Sequence, residues 1–375
     1  LARGPAARVG VLAVGAALAT GQLVAALVAP GSSPYLAVGD TVIRLSPQWL
    51  TEFAKTTFGT ADKPILLAGM GLVILLLAGA AGIAARRTPL PGTFAVTALG
   101  TLGLLAVLAA PGFMPVDLAA PAASLAVGLA TFVWLRELSM AATTATHHER
   151  ATARRPARRT VLVASSAAVA VASLAATGGG LLLGRGAAES RQAVTARLAR
   201  IRPARTAPPI PAGAAFPESG TPTFLTSNAD FYRVDVALQI PAVDAADWRT
   251  RVHGMVDREL TLTFDDLLAR PLVERTITMT CVSNEVGGPY LSTATFLGVE
   301  VRDVLLEAGV RPGADQLVST STDGWTAGTP LDVLLEPDRG ALLAIGMNGA
   351  ALPPEHGFPV RMVVPGLYGF TSATK

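Results

Sequence analysis

The sequence predicts an all-α bundle of five transmembrane helices followed by an α+β soluble domain. Of its 375 residues, 51% are hydrophobic and only 15% are charged, and the mean hydropathy is +0.47. Because soluble domains carry about 25% charged residues, this shortfall indicates membrane spans beside an ordinary soluble part. The long apolar runs all precede residue 184, and the hydrophobic periodicity changes after residue 220.

Five runs contain no Asp, Glu, Lys, Arg or His, and each has roughly the 17 to 25 residues that a helix needs to cross a bilayer. They are Val9–Ala29, Pro64–Ala85, Gly92–Ala110, Leu118–Leu135 and Thr160–Leu183. Buried helices of a soluble core could explain one such run but hardly five. We therefore assign residues 1–185 to a membrane anchor, with the lipid bilayer as its partner.

The short loops predict the orientation of this anchor, because Lys and Arg concentrate on the cytoplasmic side. Arginines precede the first run, follow the second and separate the fourth from the fifth, whereas the loop between the third and fourth has no basic residue. This pattern predicts a cytoplasmic N-terminus. Five crossings then place the C-terminal domain outside the cytoplasm, in a multi-pass protein of the cell membrane.

Arg158 and Arg159 directly precede the fifth run. The pair is typical of a twin-arginine export signal but equally of positive-inside anchoring, and both interpretations stay open. The runs have no ionisable residue and no histidine, so we interpret the bundle as an anchor or docking surface and not as a transporter or haem subunit. A net charge of +3 does not indicate a nucleic-acid partner.

After the fifth run, residues 186–220 form an Arg- and Pro-rich linker, and residues 221–375 form the soluble domain. Within the linker, Ala187–Ile201 could form a basic amphipathic helix on the membrane surface. Short strands with intervening helices and no βαβ rhythm favour an α+β domain. The elements predicted are strands at Tyr232–Ile240, Trp248–His253 and Arg275–Cys281, a helix from Val301 to Ala308 ended by Gly309, and a hairpin turn at Asn348-Gly349.

The chain has one cysteine, which excludes an internal disulfide and any multi-cysteine zinc or iron–sulfur site. Cys281 follows Ile277 and Met279 on the apolar face of a predicted strand and enters a loop that contains Gly287 and Gly288. A lone cysteine is most often a small buried hydrophobe. A thiol at the start of a Gly-containing loop is, however, accessible to a ligand.

Four motifs carry a resemblance to a known family. They are ThrMetThrCysValSerAsnGlu at 278–285, PheLeuGlyValGluValArgAspValLeu at 296–305, the long stretch 344–366 and SerAlaThrLys at 372–375. Together they resemble the molybdopterin-binding domain of the sulfite oxidase family. Because that domain continues past such a segment, we expect it to be incomplete here at its C-terminus.

The resemblance implies a molybdenum-molybdopterin cofactor whose metal is bound by the thiolate of Cys281, which would also be catalytic. A soft thiolate suits such a metal. By the same matching, the cofactor-binding residues are Cys281, Asn284, Asp303, His356, Arg361 and Lys375. The last three bring cationic or donor groups within 20 residues of each other, which is typical of an anion site.

PheTyrArgValAsp at 231–235 resembles the family's segment in which an arginine receives an oxyanion substrate. Arg233 stands at that position and is the second predicted catalytic residue. Val234 and Asp235 depart from the family's Arg-Asn-His pattern. A carboxylate there would disfavour a dianion such as sulfite and tolerate a neutral sulfoxide.

The sequence thus predicts an exported, membrane-anchored oxidoreductase that transfers an oxygen atom to or from a small, sulfur-containing substrate. Sulfite oxidation and sulfoxide reduction both stay open. Because the chain has no haem or iron–sulfur motif, electrons are expected to pass to a separate partner. The alternative is a membrane-anchored binding or structural protein that retains the fold without redox activity.

Overall fold

The computed structural model describes residues 1–28, 30–58, 61–110, 113–148, 171, 188–216, 218, 223–234, 238, 240–241, 243–322 and 324–372. The chain divides into two compact units. The helical unit comprises Leu1–Leu183 with Ala237–Gln239, and the α+β unit comprises Gly184–Val236 with Ile240–Lys375.

Six helices are described in the helical unit, in the order in which they occur along the chain. They are α1 (Arg3–Val28), α2 (Pro34–Leu45), α3 (Gln48–Phe58), α4 (Asp62–Ala84), α5 (Leu90–Leu108) and α6 (Ala119–His148). Four stretches in the described part are long and apolar enough to cross a membrane, namely Arg3–Val28, Asp62–Ala84, Leu90–Leu108 and Pro115–Met140. The fifth predicted run, Thr160–Leu183, lies outside the described residues. The count of five therefore stays a prediction.

Small residues let α1 and α4 approach closely. A Cβ at Gly10 would overlap the carbonyl of Ala78, and a Cβ at Gly82 would overlap the carbonyl of Ala6. Membrane helices commonly pack in this way, because close backbone approach maximises van der Waals contact. Large apolar side chains such as Leu76 and Phe94 are instead exposed on the outside of the unit. This apolar exterior suggests association with a membrane.

The α+β unit is built on antiparallel strands. Its elements are α7 (188–198), β1 (Arg249–Val252), β2 (Leu260–Thr263), α8 (Phe264–Leu268), β3 (Val273–Thr280), β4 (Leu291–Glu300), α9 (Val301–Ala308), β5 (Gln316–Thr320), β6 (Thr326–Pro330), α10 (Leu331–Leu335), β7 (Leu342–Met347), β8 (Ala350–Ala351) and β9 (Arg361–Val363). The main sheet has the order β3-β4-β7-β8, with β9 also paired to β7. β1 pairs with β2, and β5 pairs with β6. This sheet-containing domain agrees with the predicted α+β class.

Most predicted elements of this unit are confirmed. The strands at Trp248–His253 and Arg275–Cys281 correspond to β1 and β3. Helix α9 ends at Gly309 with φ of 70°, and Asn348 and Gly349 both have positive φ, as a type I′ hairpin turn requires.

The strand predicted at Tyr232–Ile240 differs from the structure. Residues 232–234 are not in a strand, because the peptide N–H of Tyr232 donates to the Ser292 hydroxyl at 3.0 Å and not to a neighbouring backbone. Residues 235–237 and 239 lie outside the described residues.

The prediction that Ala187–Ile201 forms a helix on the membrane surface is wrong, because helix α7 packs in the core of the α+β unit. Val194 and Leu198 are buried in the core of the α+β unit, where Leu198 approaches Gly346 on β7. The Thr195 hydroxyl accepts the peptide N–H of Ala351 at 3.1 Å. The helix is amphipathic, as predicted. Its apolar face is covered by the apolar side chains of the α+β core and not by lipid.

Replacing Leu198 by alanine is expected to lower the free energy of unfolding of the α+β unit by about 2 to 5 kcal/mol, because it opens a cavity against β7. Thermal or denaturant melts of the full chain would measure this loss. Gln192, which is exposed on the same helix, provides the control: its replacement by alanine should change stability by less than about 0.5 kcal/mol. Equal melting of the two variants would contradict the packing of α7.

Candidate active site

The position of Cys281 follows from the alternation of β3. Ile277 and Met279 face the core and are buried, and residue 281 continues on that face directly after the strand. Its peptide N–H donates to the carbonyl of Tyr290 at 2.9 Å, which extends the pairing of β3 with β4. The residue is 8% exposed, and its Sγ lies 3.1 Å from Ser283 Oγ. A buried thiol is therefore held where the sheet ends and a polar loop begins.

The loop that follows the thiol is closed by the side chain of Asn284. The side-chain Oδ1 accepts the peptide N–H of Tyr290 at 2.7 Å, and the peptide N–H of Asn284 donates to the carbonyl of Cys281 at 3.1 Å. A Cβ at Gly288 would lie 2.8 Å from Oδ1, so glycine permits this approach. Asn284 thus shapes the loop that presents the thiol, and its role in binding the cofactor stays a prediction.

Arg361 is a buried cation at the start of β9. It is 7% exposed, and among the described residues it forms no ion pair, while its Nε has no hydrogen-bond partner. Burial lowers the pKa of Arg361 to about 10, so the guanidinium stays charged at neutral pH. A buried, unpaired charge destabilises a fold by on the order of several kcal/mol. Arg361 therefore indicates a binding site for an anion.

His356 lies in the 3-10 helix directly before β9 and is 5% exposed. Its ring meets that of Phe231 edge to face, with centroids 5.1 Å apart. Burial, and then the charge of Arg361, lower the pKa of His356 to about 4, although a hydrogen bond with the backbone of Asn228 opposes this change. The imidazole is therefore neutral at neutral pH, and it can donate one hydrogen bond and accept another.

Tyr232 lies near both the thiol and the buried cation. Its hydroxyl is buried, has no hydrogen-bond partner among the residues that the structure describes, and lies close to Gly369. Burial raises the pKa of Tyr232; the charge of Arg361 lowers it in turn, and that of Cys281 raises it further. An unpartnered buried donor of this kind is a candidate contact for a ligand. Sequence reasoning missed Tyr232, and its only signal was that it adjoins Arg233.

The remaining predicted residues are placed differently. Arg233 is exposed, and its charge contributes to the lowered pKa of His356, so the two side chains lie near each other. Asp303 is exposed on the first turn of α9, after the end of β4 that is remote from Cys281. The ten residues of β4 span on the order of 30 Å. The structure therefore separates Asp303 from Cys281, and its role in binding the cofactor stays a prediction. Lys375 lies outside the described residues.

This arrangement of one buried thiol and one unpaired buried cation occurs in a domain of recognisable class. Residues 237–375 match the family described as "Oxidoreductase molybdopterin binding domain". The matched part of the chain is therefore similar to the class of molybdopterin-dependent oxidoreductases, and such a domain implies a molybdenum cofactor.

Individual proteins with similar sequences are oxidoreductases, and several of them are sulfite oxidases. The chain is 38% identical to the uncharacterized oxidoreductase YuiH of Bacillus subtilis (strain 168), over 35% of this chain and 63% of that protein. It is 36% identical to sulfite oxidase of Gallus gallus, over 40% of this chain and 38% of that protein. A solved structure of sulfane dehydrogenase SoxCD from Paracoccus pantotrophus matches with 25% identity and a TM-score of 0.38, over 42% of this chain and 43% of that one. The matched part of the chain resembles the sulfite oxidase family. The chain spans less than two thirds of the length of these relatives.

The donor set fits such a cofactor. No group of three or more His, Cys, Asp or Glu side chains that could hold a metal ion occurs among the described residues. A metal that is chelated by an organic cofactor brings most of its ligands with it, so a single thiolate from the protein suits it. An anionic group on that cofactor would also neutralise Arg361, which has no counter-ion in the part of the chain that the structure describes.

Proposed function

We propose that this chain is a membrane-anchored oxidoreductase that transfers an oxygen atom to or from a small sulfur compound. The observation that carries the proposal is that one domain holds the buried thiol of Cys281 and the buried cation Arg361, for which the described residues offer no ion pair. The thiolate suits a molybdenum ion, and the cation suits the anionic part of a pterin cofactor. Sulfite oxidation and sulfoxide reduction are the two candidate reactions.

When bound, the cofactor supplies two-electron oxygen-atom exchange at the metal. Cys281 would hold the metal through its thiolate, and Arg361 and His356 would hold the anionic and polar edge of the cofactor. Tyr232 keeps its proton, because burial raises its pKa, and it can donate a hydrogen bond into the site. Arg233, which is exposed, is placed to attract an anionic or strongly dipolar substrate.

Electrons must leave or enter through another molecule in this proposal. A single cysteine cannot bind an iron–sulfur cluster that requires four thiolates. Histidines are also absent from all five apolar runs of the sequence, so those runs offer no haem ligand of this kind. A separate electron-transfer protein or small electron carrier therefore completes the catalytic cycle.

The proposed function predicts about one molybdenum atom and one pterin per chain in the purified full-length protein. Turnover should be detected with sulfite and an electron acceptor, or with an organic sulfoxide and an electron donor. Metal analysis, pterin fluorescence after oxidation and steady-state assays measure these quantities. Protein that is folded but free of molybdenum and pterin when produced in cofactor-competent cells would instead support the binding-protein alternative.

We further propose that the α+β unit lies outside the cytoplasm, as the loop charges indicate. Reporter fusions after Ala85, Ala110 and Gly220 are expected to read inside, outside and outside. A cytoplasmic signal at Gly220 would contradict both the topology and the export.

Arg158 and Arg159 lie outside the described residues, and replacing both with lysine tests their role. A twin-arginine signal predicts loss of the outside signal at Gly220, whereas simple anchoring predicts that it persists.

A further inference from the structure

The part of the chain that carries Tyr232 and Arg233 is irregular, so backbone pairing alone cannot position it. We call residues 226–233 the substrate-side segment. At its start, the N–H of Thr226 donates to the carbonyl of Thr293 at 2.8 Å, and near its end the N–H of Tyr232 donates to Ser292 Oγ at 3.0 Å. Between these two points its position depends on side chains.

Asn348, in the turn between β7 and β8, connects this segment to the sheet. Its Oδ1 accepts the N–H of Thr295 on β4 at 2.9 Å. Its Nδ2 donates both to the carbonyl of Thr226 at 2.9 Å and to Asn228 Oδ1 at 2.8 Å. Asn228 donates in return to the carbonyl of Met347 at 3.1 Å. The amide of Asn348 therefore uses its oxygen on the sheet and its two protons on the substrate-side segment.

The turn itself does not require this amide. Asn348 has φ of 50° and Gly349 has φ of 78°, and a type I′ turn accepts glycine as readily as asparagine at its first central position. Glycine would lose all three side-chain hydrogen bonds. These three bonds therefore join the asparagine to groups that lie outside the turn.

The fixed segment leads directly into the site. Phe231 is buried, packs on Phe296 with ring centroids 6.2 Å apart and meets His356 at 5.1 Å. The backbone of Asn228 is among the groups that raise the pKa of His356, so this end of the segment also lies near the imidazole. A shift of the segment would therefore move the Tyr232 hydroxyl and Arg233 together.

We propose that Asn348 is a positioning residue that holds the substrate-side segment, and with it Tyr232 and Arg233, in place for substrate binding. The proposal rests on the proposed function for its catalytic consequence. Its structural part, the restraint of residues 226–233, is independent of any cofactor.

The test compares three variants of the full-length protein. Asn348→Gly keeps the turn and removes the amide. Asn348→Asp keeps an acceptor for the N–H of Thr295. It replaces the Nδ2 donor by a carboxylate oxygen, which would face the carbonyl oxygen of Thr226 and Oδ1 of Asn228 without a proton to share. Thr276→Val is the matched control, because it removes a hydrogen bond of 3.0 Å between β3 and the hydroxyl of Thr295, the residue of β4 that Asn348 also contacts, and does not change the segment.

The first measurement is amide hydrogen exchange by mass spectrometry. Exchange in peptides that cover residues 226–233 should accelerate by about 10-fold or more in both Asn348 variants, because the hydrogen bonds that close the segment are lost. The control should leave these peptides unchanged. Unchanged exchange of the segment in both Asn348 variants would overturn the proposal, whatever the activity of the protein.

The second measurement is steady-state kinetics per bound molybdenum. We expect kcat/KM to fall about 10- to 100-fold, mainly through KM, because Arg233 is displaced while the cofactor stays bound. A faster-exchanging segment with kcat/KM within twofold of the parent would overturn the positioning role. The positioning role would also be overturned if activity fell only in proportion to the molybdenum content, with kcat/KM per bound molybdenum unchanged. A parent protein without molybdenum or turnover would refute the proposed function, and hydrogen exchange would still decide whether Asn348 restrains the segment.

Discussion

Replacing Cys281 by serine is expected to reduce turnover to background while leaving the α+β unit folded. The change in volume is small, and an unsatisfied hydroxyl at this buried position costs roughly 1 to 3 kcal/mol. Because serine is a hard oxygen donor and a poor substitute for a soft thiolate, the metal should lose its thiolate ligand and change its absorption and paramagnetic spectra. Turnover per folded molecule and these spectra are the measurements.

Ser283→Ala provides the control for this substitution. It removes the hydroxyl that lies 3.1 Å from Cys281 Sγ but keeps the sulfur. Its metal spectrum should retain the thiolate character, and its turnover should stay detectable. Normal turnover and an unchanged metal spectrum in the Cys281→Ser protein would remove the central residue from the proposed mechanism.

Replacing Arg361 by methionine is expected to act in opposite directions on stability and on cofactor content. In the cofactor-free protein, removal of a buried, unpaired charge should stabilise the fold by about 1 to 4 kcal/mol. In the cofactor-loaded protein, loss of charge-assisted hydrogen bonds worth roughly 1.5 to 3 kcal/mol should lower cofactor affinity about 10- to 150-fold. Melts of protein from cofactor-deficient cells and molybdenum content from competent cells measure the two effects.

Arg275→Met is the contrasting variant for this experiment. Arg275 already has a protein partner, because its Nη2 lies 2.8 Å from Glu300 Oε1. Its loss should therefore destabilise the fold and leave the cofactor content per folded chain unchanged. A destabilised Arg361→Met protein with normal cofactor content would show that Arg361 has a structural partner and is not an anion site.

Local patterns in the sequence were sufficient for much of the fold. The alternation of Ile277, Met279 and Cys281 predicted β3 and the face of the thiol, and the apolar spacing before Gly309 predicted α9 with its end. Asn348-Gly349 predicted a hairpin turn. These features succeed because they depend on residues close together in the chain, whose φ preferences and side-chain periods do not require knowledge of distant partners.

Some errors in the sequence analysis arose where a local pattern had two possible partners. Helix α7 is amphipathic, but only the packing of Leu198 on β7 shows that protein, and not lipid, covers its apolar face. Tyr232 alternates like a strand residue, yet the Ser292 hydroxyl takes its N–H.

The sequence by itself determined the membrane-type composition of the first half, the α+β class of the second, and the residue types that a molybdenum cofactor needs. Only the tertiary structure decided that Arg361 is buried with no counter-ion among the described residues, that Tyr232 lies near both Arg361 and Cys281, and that Asn348 bonds to the substrate-side segment. The physical reason is sequence separation. Burial, charge pairing and hydrogen bonds across 120 or more residues depend on which surfaces meet, and no local period encodes that information.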